Sequence, residues 1–160
     1  MTHQAKVLFL CTGNSCRSQM AEGWLRHVAG ETFEAFSAGT APVGVNPDAV
    51  RVMAERGIDI SGQHSKAVAQ LAGHHFGYVI TVCDQASEAC PVFPGAARRL
   101  HWSHDDPARA TGPEADRLAA FRRVRDLIEA DVRRFAIEVG AGQPLTGELW
   151  RSHPTSGGEP

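Results

Sequence analysis

The 160-residue chain has almost no net charge, −2 from 16 basic and 18 acidic residues, and only two of its basic residues, Lys6 and Lys66, are lysines. Near-neutrality excludes the broad positive field that holds nucleic acid or an anionic membrane, so any positive potential must be local. Long apolar runs are also missing: nothing approaches the roughly 20 residues of a membrane helix, and Met1-Thr-His-Gln-Ala5 has no apolar signal core. A cytoplasmic protein is the expectation. Internal repeats are absent too, and a chain of this length and ordinary composition suits one core. Residues 1–139 are therefore expected to form a single domain, followed by a loop-like tail over 140–160 with Gly-Ala-Gly-Gln-Pro and Ser-Gly-Gly-Glu-Pro. No sticky surface is evident, and a monomer is expected.

What the chain does have is concentrated in Lys6–Ser18, Lys-Val-Leu-Phe-Leu-Cys-Thr-Gly-Asn-Ser-Cys-Arg-Ser. The apolar run Val7 to Leu10 reads as a strand buried on both faces, and from Arg17 onward Met20, Trp24 and Val28 fall on one side of a helix. Cys11 opens the loop between them and Arg17 closes it. Backbone N–H groups converging before a helix N-terminus favour a tetrahedral oxyanion, and the same field stabilises a thiolate. Cys11 is thus the candidate nucleophile, with Thr12, Gly13, Asn14, Ser15, Cys16, Arg17 and Ser18 around the anion. Arg17 adds a planar fork suited to two oxygens of phosphate or a phosphate mimic. Ser18 is placed to donate its hydroxyl to the Cys11 thiolate.

Further along, Phe33 to Ser37 reads as a second strand, and Asn46, Pro47 and Gly57 as the N-cap, first residue and terminator of a second helix. Ser65 is expected to cap a third helix over Lys66 to Leu71. Tyr78 to Cys83 and Arg98 to Trp102 read as two more strands. Thr111-Gly-Pro-Glu114 resembles a capping box opening a long helix with Leu118, Phe121, Val124, Ile128, Val132 and Phe135 on its apolar face. Apolar strands alternating with helices imply a small doubly wound α/β fold, a four-stranded parallel sheet with helices on both faces. Its active groups should gather at the C-terminal strand ends, where Cys11, Ser37, Cys83 and Asp106 fall.

Cys11 through Trp24, Cys-Thr-Gly-Asn-Ser-Cys-Arg-Ser-Gln-Met-Ala-Glu-Gly-Trp, resembles the signature of thioredoxin-coupled arsenate reductases, built on the low-molecular-weight protein tyrosine phosphatase fold. The likeness continues through Ser37-Ala-Gly, Gly44-Val-Asn-Pro, Ile58-Asp-Ile-Ser, Thr81-Val-Cys83, Cys90-Pro91, His101-Trp102 and Asp105-Asp-Pro107, covering about residues 5 to 138. It implies reduction of arsenate to arsenite, in arsenic detoxification, by three cysteines. Cys11 attacks arsenic while Asp106 protonates the departing oxygen. Cys83 then attacks Cys11, arsenite leaves, and Cys90 moves the disulfide to Cys83–Cys90, where thioredoxin reduces it. Asp84 to Ala89 reads as a short helix that would hold those two sulfurs apart, so disulfide formation should unwind it. Cys16 is not needed for the relay and reads as structural.

Either Asp105 or Asp106 could face the site; the family places the acid immediately before proline, which selects Asp106. The nearest rival is a low-molecular-weight protein tyrosine phosphatase, which needs only Cys11, Arg17 and the acid. Phosphatases of this fold usually carry an aromatic residue after that Asp-Pro, and here Ala108 follows. A structural zinc module is disfavoured by the Cys-x4-Cys and Cys-x6-Cys spacings, and a non-catalytic oxyanion binder would show no turnover with thioredoxin. Some family members bind potassium through a loop Asn, a helix Glu, a Ser after the second strand and an acid. Asn14, Glu22 and Ser37 match, but Lys66 replaces the acid, so its ammonium is expected to stand in for the ion and pair with Glu22 and Asn14. No metal and no cofactor is expected.

Overall fold

Strands β1 (Ala5–Cys11), β2 (Phe33–Gly39), β3 (Tyr78–Thr81) and β4 (Arg98–His101) form one sheet in the order β2-β1-β3-β4, with every neighbouring pair parallel. This computed structural model describes residues 4–84, 93 and 98–140. The chain leaves β1 toward β2 on one side and returns to β3 on the other, so the strand order reverses between β1 and β3. A crevice at the carboxyl ends of those strands is the usual ligand site of such a sheet.

The twofold alternation of β1 divides the interior. Val7, Phe9 and Cys11 face a core made with α1 (Arg17–Ala29), α2 (Pro47–Ala54) and α3 (Glu114–Gly140), which contribute Met20, Trp24, Met53, Phe121 and Phe135. Leu8 and Leu10 face the opposite side, covered among the described residues by Leu71, Phe76, Val79 and Phe93. Phe9 and Trp102, both fully buried, meet at 5.9 Å between ring centroids. Burial of each such ring stabilises the fold by about 2 kcal/mol or more. The α2 start behaves as its sequence dictates, with Asn46 Oδ1 accepting from Asp48 N–H at 2.8 Å and Pro47 at the first position. No helix of the described residues is long and apolar enough to cross a membrane.

Four elements differ from the sequence expectation. The helix expected over Lys66 to Leu71 is a single 3-10 turn, Val68–Leu71. Ala67 is extended and bridges Gly39 in parallel, with Gly39 N–H donating to Lys66 O at 2.9 Å, so pairing with the end of β2 overrides local helix preference. Ser65 caps no helix; its hydroxyl donates to Gly13 O at 3.1 Å. The box at Thr111 also gives way, because Gly112 has φ +100° and α3 begins at Glu114, with Pro113 O accepting from Arg117 N–H. Strands β3 and β4 stop one or two residues early, at Thr81 and His101, although Val82 N–H still donates to Leu10 O and Trp102 N–H to Thr81 O.

Candidate active site

The loop from Thr12 to Cys16 is held from outside by its carbonyls. Thr12 O accepts from Ala41 N–H, Gly13 O from Val43 N–H, Ser15 O from Asn46 N–H, and Asn14 O from Gln19 Nε2. In a trans peptide the N–H points away from the carbonyl, and no peptide here is cis. Turning four successive carbonyls outward therefore turns the following N–H groups into the loop. Cys16, at the N-cap of α1, makes no side-chain capping bond, and the first turn of α1 has no acidic residue. These orphan donors and the positive helix end are left to an anion.

Gly39 makes the close packing possible. A Cβ there would lie 2.5 Å from Thr12 O and 2.9 Å from both Asn14 N and Cys11 O, all backbone atoms. The sequence expectation ends the strand at Ser37, whereas β2 runs on to Gly39, and this need appears only when β2 and the loop are stacked. Asn14 takes a left-handed conformation, φ 46°, and is fully buried. It is held there because its Oδ1 accepts from Lys66 N–H at 2.7 Å and its Nδ2 donates to Ser18 Oγ at 2.8 Å. Ser18 Oγ in turn shares a hydrogen bond with Cys11 Sγ, 2.8 Å away. A chain of hydrogen bonds from Asn14 through Ser18 thus ends on the Cys11 sulfur and holds it in place.

Arg17 is buried, and its Nη1 donates to His104 O at 3.1 Å. Its Nη2 lies 3.8 Å from Asp106 Oδ2. The Asp106 carboxylate also caps the short turn Pro107–Arg109 by accepting from Ala108 N–H at 3.0 Å. Cys11, Thr12, Gly13, Ser15, Cys16, Arg17, Asp106 and Ala108 line one cleft of about 360 Å³. Asp105 is exposed and is not part of this wall. Ala41, Val43 and Arg109 line it as well and were not singled out by the sequence. A larger cavity of about 570 Å³ beside β2 contains Glu22, Arg26 and Lys66 but none of Cys11, Arg17 or Asp106.

Burial pushes the Cys16 thiol up to about 12, with the charges of Asp106 and Cys11 adding to the effect against the Ser15 hydrogen bond. Cys16 is therefore a neutral thiol at physiological pH, unsuited to nucleophilic attack. Cys11 and Cys16 are free, whereas Cys83 is disulfide-bonded. Cys83 follows Val82, whose N–H donates to Leu10 O, so it emerges beside the end of β1 that carries Cys11. Cys90 and the helix expected over Asp84 to Ala89 lie outside the described residues, apart from Asp84, which is not helical. Lys66 departs from expectation in part. Its ammonium donates to His64 O at 2.6 Å and reaches Glu22 Oε1 at 4.0 Å, but Asn14 is met by its backbone N–H instead. Ser37 Oγ donates to the same Glu22 Oε1 at 2.6 Å.

The family model of low molecular weight phosphotyrosine protein phosphatases matches residues 6–144. Among curated relatives, the arsenate reductase of Bacillus licheniformis is 48% identical over 130 residues, 81% of this chain and 94% of its own. Among solved structures, an arsenate reductase in the phosphate binding state superposes with TM-score 0.69 at 30% identity, over 85% of this chain and 99% of its own. A thioredoxin-dependent arsenate reductase of Corynebacterium glutamicum superposes with TM-score 0.65 at 26% identity, over 89% of this chain and 65% of its own.

Proposed function

The chain belongs to the low molecular weight phosphotyrosine protein phosphatase family, among its arsenate reductases, and from that membership we propose that it reduces arsenate to arsenite with thioredoxin as reductant. Arsenate sits in the Thr12–Ser18 loop, its oxygens on the loop N–H groups and the Arg17 fork. Cys11 thiolate attacks arsenic, Asp106 gives a proton to the departing oxygen, and water leaves an As(V)–sulfur adduct. Cys83 thiolate then attacks the Cys11 sulfur; the S–S bond forms, the As–S bond breaks, and its electron pair stays on arsenic, which departs as arsenite. Attack of Cys90 on Cys83 frees Cys11 and leaves a Cys83–Cys90 disulfide for the thioredoxin dithiol to reduce.

One observation supports reduction over hydrolysis: a cysteine beside the loop, Cys83, is in a disulfide that uses neither Cys11 nor Cys16. A phosphatase resolves its phosphocysteine with water and needs no such thiol. The test couples arsenate to NADPH oxidation through thioredoxin and its reductase, beside hydrolysis of an aryl phosphate. Arsenate-dependent NADPH oxidation is expected; hydrolysis without it identifies a phosphatase.

We infer that the Lys66 ammonium, 4.0 Å from Glu22 Oε1, stands in for a monovalent ion there, beside the Arg26 guanidinium that donates to Glu22 Oε2 at 2.7 Å. Equal rates in sodium and potassium buffers of matched ionic strength are expected. Strong activation by potassium would contradict this role for the ammonium.

A further inference from the structure

Two buried polar side chains have no part in the chemistry above. His104, between β4 and the Asp105-Asp106-Pro107 turn, is 3% exposed, and Asp131, within α3, is 2% exposed. His104 Nε2 meets Asp131 Oδ2 at 2.8 Å. Removing a carboxylate from water costs several kcal/mol even when it is partnered, and an apolar pair of similar volume often serves stability as well or better. Stability is therefore a poor account of this pair. Its location is a better one.

The carbonyl of the same His104 accepts from Arg17 Nη1 at 3.1 Å. Two residues later, Asp106 holds its carboxylate 3.8 Å from Arg17 Nη2. Asp131 belongs to the 27-residue helix α3, which shares a core with α1, the helix that Arg17 opens. We propose that Asp131 is a positioning residue: by fixing His104 it sets the carbonyl that aims Arg17 and the entry of the turn that carries Asp106. The anion fork and the acid are then referenced to one rigid helix rather than to a free loop. This role rests on Arg17 and Asp106 serving as the oxyanion and acid residues of the proposed arsenate reduction.

The test compares Asp131→Ala, which removes the acceptor, with His104→Gln, whose amide N–H takes the place of Nε2–H. Inorganic phosphate binding by calorimetry reports Arg17, and arsenate KM and kcat report the whole site, all measured well below each variant's melting temperature. For Asp131→Ala, phosphate Kd and arsenate KM should rise about tenfold and kcat should fall by a similar factor, in keeping with the sensitivity of catalysis to small misplacements. His104→Gln should stay within about threefold of the native protein, because the hydrogen bond to α3 survives. A His104→Leu/Asp131→Leu variant leaves no buried charge unpaired, is expected to fold, and should share the defect of Asp131→Ala. Native Kd, KM and kcat in either of these folded variants would overturn the role, whatever the change in melting temperature. Phosphate binding requires no reduction, so a native chain that binds phosphate yet leaves arsenate unchanged counts against the proposed function, not against positioning by Asp131.

Discussion

Cys11→Ser is expected to abolish arsenate reduction and aryl phosphate hydrolysis together, by on the order of 10⁴-fold or more in kcat/KM, about 5.4 kcal/mol of transition-state stabilisation. Serine is nearly isosteric, and Ser18 Oγ stands 2.8 Å from the sulfur with its other partner, Asn14, unaffected, so the loop should persist. What is lost is the nucleophile. A serine hydroxyl is a far weaker nucleophile near neutral pH than a cysteine sulfur. Phosphate should still bind, because Arg17 and the loop donors remain. Calorimetry with phosphate and steady-state assays on the same preparation separate the two. A serine variant that keeps substantial turnover would mean that another group attacks the oxyanion, and Cys16, though it lines the cleft, is a buried neutral thiol unsuited to do so.

Cys90→Ser carries the second large effect. The relay predicts a variant that completes one chemical cycle and then stops, because Cys83 can take Cys11 into a disulfide but nothing moves that disulfide outward to thioredoxin. Sustained turnover should fall to background while a single equivalent of arsenite still appears, and mass spectrometry should find Cys11 linked to Cys83. Cys83→Ser should release no arsenite at all, since no thiol is left to draw arsenic off Cys11. Neither substitution should diminish aryl phosphate hydrolysis, which uses only Cys11, Arg17 and Asp106. Continued cycling of Cys90→Ser with thioredoxin would contradict the order of the relay.

Much of this site is legible in the sequence because its information is local. An apolar run into Cys11, a six-residue return to Arg17 and a helical stripe through Met20 and Trp24 dictate strand, loop and helix in one stretch of chain. The long-range contacts are not legible in the same way. Nothing in Lys66 to Leu71 announces that Ala67 will bridge Gly39, yet that pairing replaces a helix with an extended segment and brings Lys66 N–H onto Asn14. The need for glycine at position 39 arises from backbone atoms of Thr12 and Asn14, far away in sequence. Nothing in the sequence links His104 and Asp131, 27 residues apart; only packing joins them beside Arg17.

The central claim is that electrons for arsenate come from the chain's own thiols. The most direct measurement mixes the fully reduced protein with excess arsenate in the absence of thioredoxin, and counts arsenite formed and free thiols lost. One equivalent of arsenite per chain, with loss of one thiol pair and renewed turnover on adding thioredoxin, is the predicted result. No arsenite, or arsenite formed with every thiol still free, would contradict it.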